Sequence, residues 1–90
     1  MKRVHIHVSG IVQGVYFRQN TLMQARELDL RGVARNLPDG RVEIVCEGRT
    51  DAIEALIAWC RKGPRGARVD AVDVQWEEFM DEFDDFRITY

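Results

Sequence analysis

The sequence predicts an α+β sandwich in which two helices cover one face of an antiparallel sheet. Three observations carry that expectation. Apolar residues alternate strictly at the start, in the middle and towards the end of the chain; two intervening stretches carry them at helical spacing; and glycine- or proline-bearing breaks separate the segments.

Taken in order, Arg3 to Ser9 alternates, with Val4, Ile6 and Val8 on one face and His5 and His7 on the other, the period of a half-buried strand. From Phe17 to Leu30, Leu22, Ala25 and Leu28 keep helical spacing, and Gly32 is expected to close that helix. Gly32 to Leu37 reads as a second strand. Pro38-Asp39-Gly40 is turn chemistry, because proline presets φ and glycine accepts a positive value. The return strand, Arg41 to Glu47, puts Val42, Ile44 and Cys46 on one face and Glu43, Val45 and Glu47 on the other. A second helix follows Gly48-Arg49-Thr50-Asp51, with Thr50 or Asp51 as cap and Glu54 completing a capping box. Ile53, Leu56, Ile57 and Cys60 make its apolar stripe, and Gly63-Pro64 stops it. Val72, Val74 and Trp76 mark a fourth strand within Val69 to Phe79, and Phe86, Ile88 and Tyr90 a short fifth. The order β-α-β-β-α-β with an extra C-terminal strand is that of a ferredoxin-like sandwich.

Length and charge narrow the function classes. A chain of 90 residues lies below the roughly 100–150 of a common domain, so a single domain over 1–90 with one modest core is expected. No apolar run approaches the roughly 20 residues of a spanning helix. Residues 1–7 enter directly into alternation instead of the unbroken apolar stretch of a secretory signal, so a cytoplasmic location is expected. A formal net charge of -2 argues against neutralising nucleic-acid phosphates as the main task, and any anion site must be local. An RNA-binding use of the same fold also lacks its basic and aromatic pattern between Arg41 and Glu47. Cys46 and Cys60 fall on apolar stripes, where a thiol stays protonated and packs as a small core residue. His5 and His7 share a strand face, but the sequence places no third ligand beside them, so a solvated outer face and no metal are expected. Trp59 and Trp76 are expected to pack. The acidic run Glu77 to Asp85 reads as a solvated loop.

One stretch carries chemistry. "GIVQGVYFR", from Gly10 to Arg18, joins the first strand to the first helix. A strand turning through a glycine-bearing loop into a helix can point several backbone N–H groups at one spot, where the helix dipole adds positive potential. Arg18, in the first helical turn, adds a planar fork of donors suited to phosphate oxygens. The alternative is a tight turn with a surface arginine paired to an acid.

The stretch resembles the acylphosphatase signature G-x-V-Q-G-V-x-F-R at every specified position. A second block, "GVARNLPDGRVEIVCEG" from Gly32 to Gly48, is similar to that family's G-x-V-x-N-x-x-D-G-x-V-E followed by glycine, and "FRITY" to its F-x-I-x-Y ending. Ala34 departs from the more usual valine, a strand-packing change that leaves Asn36 in place. The resemblance implies hydrolysis of small acyl phosphates, such as acetyl, carbamoyl or 1,3-bisphosphoglycerate-like compounds, to a carboxylate and inorganic phosphate. It implies that Arg18 and Asn36 are catalytic, Arg18 binding the phosphoryl group and Asn36 holding the attacking water. It also implies that Gly10, Ile11, Val12, Gln13, Gly14 and Val15 supply the amide cradle, with no cofactor. Asn36 suits that part, since a neutral amide both donates to and accepts from one water, although capping the adjacent turn would also explain it. A monomer with no nucleic-acid or membrane partner is the default. The rival reading is a non-catalytic phosphate-binding accessory domain, because related domains occur fused to larger carbamoyltransferases that mature hydrogenases. A chain ending at the fifth strand is expected to be free-standing.

Overall fold

Val4, Ile6 and Val8 are completely buried, and the alternating run that contains them is the strand β1 (Lys2–Ile11). In the computed structural model, which describes residues Met1–Tyr90, β1 is followed by α1 (Phe17–Glu27), β2 (Arg31–Asn36), β3 (Val42–Gly48), α2 (Thr50–Lys62), β4 (Arg68–Glu77) and β5 (Phe86–Ile88). The strands form one sheet in the order β4-β1-β3-β2-β5. β1 pairs antiparallel with β3 and β4, and β2 antiparallel with β3. β5 pairs parallel with β2, so the sheet is mixed where an antiparallel one was expected. The physical reason lies in the connection. β4 and β5 occupy opposite edges, and a chain that crosses one end of the sheet from edge to edge re-enters running against β4, hence with β2.

The inner face of the sheet carries Val4, Ile6 and Val8 of β1, Val42, Ile44 and Cys46 of β3, Ala34 of β2 and Phe86 of β5. Against it lie Phe17 and Ala25 of α1 and Ile53, Leu56, Ile57 and Cys60 of α2, the two helices the pattern predicts. Thr21 is buried with them, its hydroxyl donating to the Phe17 carbonyl at 2.8 Å, which satisfies the polar atom locally. Burial pushes both the Cys46 and the Cys60 thiol up to about 12, so both stay protonated as core residues.

Several boundaries differ from the sequence expectation. α1 ends at Glu27, with Leu28 as cap and Asp29 at φ 60°, because an aspartate can take the left-handed conformation that was assigned to glycine. Gly32 lies inside β2 instead, where a Cβ would stand 2.0 Å from the Val45 carbonyl oxygen, so a side chain there would force β2 away from β3. The capping box does not form. Arg49 is the cap residue of α2 and no side chain caps it, while Asp51 sits in the first turn and accepts from the Ala52 N–H at 2.9 Å. Trp76 shares the inner face with Val4, its partner in register, but on the edge strand it stays 45% exposed.

Glu47 is the larger correction. Expected on an open face, it is only 3% exposed, and the acidic run beyond β4 folds over it. Its two carboxylate oxygens accept from the Met80 N–H at 2.7 Å and the Glu82 N–H at 2.9 Å, and Arg3 lies 3.4 Å away. Arg3 also pairs with Glu77 and Glu82 at 3.0 and 2.7 Å. Burial opposes the Glu47 charge, but those amides and the Arg3 guanidinium outweigh it and hold the carboxyl below the usual carboxylate range. Its stability contribution is therefore complete above the unfolded value near 4.3 and lost as pH falls through the lower folded value. Glu47→Gln is expected to cost about 1–3 kcal/mol at neutral pH, from the lost charged hydrogen bonds. In urea titrations across pH, the gap between wild type and variant should narrow below about pH 4.3, as the wild type loses what the variant never had.

Candidate active site

β1 ends in an irregularity that aims the following loop. Its register on β4 shifts between Ser9 and Gly10, and a Cβ at Gly10, whose φ is 132°, would stand 2.1 Å from the Arg68 carbonyl oxygen. Glycine is demanded there by the neighbouring strand. Gly10 and Ile11 thus belong to β1, paired with Val69 and Arg68, and the loop proper is shorter than the sequence suggests, running from Val12 to Tyr16. Val12 is buried, Gly14 adopts φ 76°, and Tyr16 caps α1 in the left-handed region at φ 61°. From Gln13 to Gln19 no backbone N–H donates to a backbone carbonyl. The loop and the first turn of α1 therefore present a run of free donors at the positive end of a helix.

Two anchors hold that run in place. Phe17, fully buried, tilts against Trp59 of α2 with ring centroids 5.3 Å apart, which fixes the start of α1 one residue before Arg18. Gln13 turns its side chain the other way. Its amide nitrogen donates to the carbonyls of Leu37 and Arg41 at 2.8 and 2.9 Å, the two residues that close the Pro38-Asp39-Gly40 turn through a Leu37 N–H to Arg41 bond of 2.8 Å. The loop after β1 is thereby tied to the hairpin that carries Asn36, a link not legible from either segment alone.

Val12, Gly14, Arg18 and Asn36 line one cleft of about 300 Å³, together with Tyr16, Phe17 and Gln19. Asn36 faces the helices because it follows Ala34 by two in β2. Its amide oxygen is buried and has no hydrogen-bond partner. Arg18 forms no ion pair; its guanidinium donates to the Thr89 carbonyl at 3.5 Å and lies 5.1 Å from the centre of the Tyr90 ring. Of the other residues singled out in the sequence, Val15 packs on the core and Gly10 and Ile11 stay in the strand. The contacts of Thr89 and Tyr90 with Arg18 were missed, although both residues sit in the quoted C-terminal motif. His5 and His7 are on the open face, half-buried, and do not line this cleft.

A larger cleft of about 430 Å³ opens at the opposite end of the sheet, beside Glu47 and Phe83. No orphaned buried polar atom lies in it, and its Arg26 is paired with Asp85 at 3.1 Å.

A family model described as acylphosphatase matches residues 4–88 of the chain. The chain belongs to the acylphosphatase family. An acylphosphatase from Syntrophus aciditrophicus is 54% identical over 90 residues, covering 100% of this chain and 94% of that protein. The crystal structure of an acylphosphatase from Bacillus subtilis superposes with a TM-score of 0.96 at 33% identity, covering 100% of both chains. The chain is also similar to part of HypF from T. kodakarensis, with a TM-score of 0.85 and 41% identity, covering 100% of this chain but 12% of that one. The chain is an enzyme of this family, and the accessory-domain reading is not favoured, since the relatives it spans almost from end to end are acylphosphatases.

The Gln13 tether yields a prediction for the site. Gln13→Ala removes two hydrogen bonds between loop and hairpin and leaves the Leu37 and Arg41 carbonyls only their turn bonds, at about 1–2 kcal/mol in stability. Because loop and Asn36 then move independently, turnover of an acyl phosphate should fall about tenfold or more, more than the loss of folded protein explains. Steady-state kinetics beside a urea titration of the same preparation checks it.

Proposed function

We propose that the chain hydrolyses small acyl phosphates to a carboxylate and inorganic phosphate by direct attack of water, without a phosphoenzyme and without a metal in the reaction. The observation that carries the reading is the buried, unpartnered amide oxygen of Asn36 in the cleft lined by Arg18 and the loop of free N–H groups. A buried acceptor left unmatched costs about 1–3 kcal/mol, so its persistence at this place argues for a ligand that matches it. A water molecule fits, accepting from the amide NH₂ and donating to its oxygen. Arg18 and the amides of Val12 to Val15 and the first helical turn would hold the phosphoryl oxygens.

No general acid or nucleophilic side chain is needed. The leaving group is a carboxylate whose conjugate acid has a pKa near 4–5 by analogy with Asp and Glu, so it departs unprotonated. A loose phosphoryl-transfer transition state asks little of the nucleophile, and the phosphate itself takes the proton of the water. What remains is positioning and stabilisation of equatorial charge, the work of oriented amides and an arginine without a competing acid. We further infer a monomer acting on a dissolved small molecule, with neither nucleic acid nor membrane as partner. The net charge of -2 supports the first of these, and no helix is long and apolar enough to cross a membrane. Two free, buried cysteines suit the reducing cytoplasm.

Hydrolysis of benzoyl phosphate by the purified protein, with and without EDTA, tests this reading. Activity should survive the chelator. Arg18→Ala should lose both phosphate binding and turnover, with kcat/KM down by about 10²–10³ or more. Asn36→Ala should bind inorganic phosphate within about threefold of wild type while kcat falls by a comparable factor, since its role lies in the reacting state. An Asn36→Ala variant that raised only KM would overturn its water-holding role, trapping of a covalent phosphoprotein would overturn direct attack, and a folded wild type that bound phosphate without turnover would restore the accessory-domain reading.

A further inference from the structure

On the open face of the sheet the structure supplies what the sequence lacked beside His5 and His7, a third ligand. Glu43 of β3 stands opposite His7 of β1 in the antiparallel register, and His5 follows on the same face two residues away. The Glu43 Oε2 atom lies 2.8 Å from His5 Nε2 and 3.3 Å from His7 Nε2, and potential ligand atoms of all three residues fall within 4.8 Å of one another. The two imidazoles stack with centroids 4.7 Å apart and planes 25° from parallel, so both edges are turned to the same carboxylate oxygen. In a tetrahedral zinc site with bonds of about 2.0–2.1 Å, neighbouring ligand atoms are about 3.3 Å apart. The two nitrogen-to-oxygen separations lie at or just below that value, and the 4.8 Å span of the set exceeds it by about 1.5 Å, so side-chain rotation that draws the two imidazole edges together would close the set around one ion.

The surroundings are arranged for such a centre. Arg35 donates to the other Glu43 oxygen, Oε1, which leaves Oε2 for the imidazoles and sets the carboxylate's orientation, the part an outer-shell partner plays for a metal ligand. The three side chains are only 29%, 24% and 14% exposed, so ligands and ion would be shielded by the strand surface. The Arg3 charge nearby is matched by Glu47, Glu77 and Glu82. Asp73 of β4, paired with His7 in register on the other side, adds negative charge next to the open position. Two imidazoles and one carboxylate form a donor set of borderline softness that suits zinc, nickel or copper in preference to magnesium or calcium.

We propose that His5, His7 and Glu43 bind a zinc-type divalent cation on the open face of the sheet, clipping β1 to β3, with a fourth position held by water. This site lies on the face away from the helices and from the Arg18 cleft, and it takes no part in hydrolysis. Its effect is on the folded state, because an ion bound only there stabilises the native chain.

Zinc titration of the EDTA-stripped full chain by calorimetry, with stoichiometry from native mass spectrometry, tests the proposal. One zinc per chain is expected, with a rise in melting temperature on saturation. His5→Gln and His7→Gln, each checked for wild-type circular dichroism, should bind at least tenfold more weakly and lose the thermal shift. Glu43→Gln offers a third variant should either histidine variant fail to fold. Lack of saturable binding by the wild type, or binding undiminished in the folded variants, would overturn it. Benzoyl phosphate hydrolysis should be equal in the zinc-loaded and stripped forms of the wild type.

Discussion

The antiparallel register across β1, β3 and β2 is the constraint on which both the cleft and the open-face cluster depend. Val8 stands opposite Val42, and Val42 opposite Asn36, so the loop that leaves β1 emerges beside the amide that ends β2. Side chains on a strand alternate faces, and a slip by one residue would turn Asn36 to solvent and drive His7 and Glu43 into the core. That slip is opposed by the fully buried pairs Val4 with Cys46, Ile6 with Ile44 and Val8 with Val42. It is opposed again at Gly32, where the close approach of β2 to β3 leaves no room for a Cβ, and at the far end by Gln13 bonding to both sides of the turn.

Charge is distributed unevenly over this frame, and the unevenness has chemical consequences. On the open face and at the Glu47 end, several arginines are matched with acids: Arg3 with three glutamates, Arg35 with Glu43, Arg26 with Asp85. Arg18 is held by a backbone carbonyl and an aromatic ring, neither of which neutralises it. Its positive charge is therefore left without an acidic partner, and it adds to the unpaired N–H groups of the loop and to the dipole of α1. A protein with net negative charge can thus carry a locally positive point, because the field close to a half-buried arginine is set by its neighbours and not by the total.

Much of the architecture was legible in the sequence because it rests on local periods. Two-residue alternation located the strands, helical spacing located α2 and its buried Ile53, Leu56, Ile57 and Cys60, and the proline-glycine turn located the hairpin. The misplaced features share another origin. The end of α1 was read from the nearest glycine, yet Asp29 accepted the left-handed conformation and Gly32 was reserved for strand contact. Glu47 alternated as an outward residue, and only the return of the chain from β4 to β5 across the sheet's end made it a buried anchor. The parallel pairing of β5 and the tie from Gln13 to the hairpin likewise join segments far apart in the chain.

The sequence by itself determined most of the elements and the composition of the inner face, because each follows from chemistry within a few positions, and its motifs carried the resemblance to the family. The tertiary structure decided which of those residues meet. It brought Asn36 to Arg18 with a buried oxygen unmatched, narrowed the loop to Val12 through Tyr16, and set Glu43 against His5 and His7. These are matters of strand order and register, where residues 7 and 43 or 18 and 36 become neighbours only once the apolar faces of sheet and helices have been removed from water together.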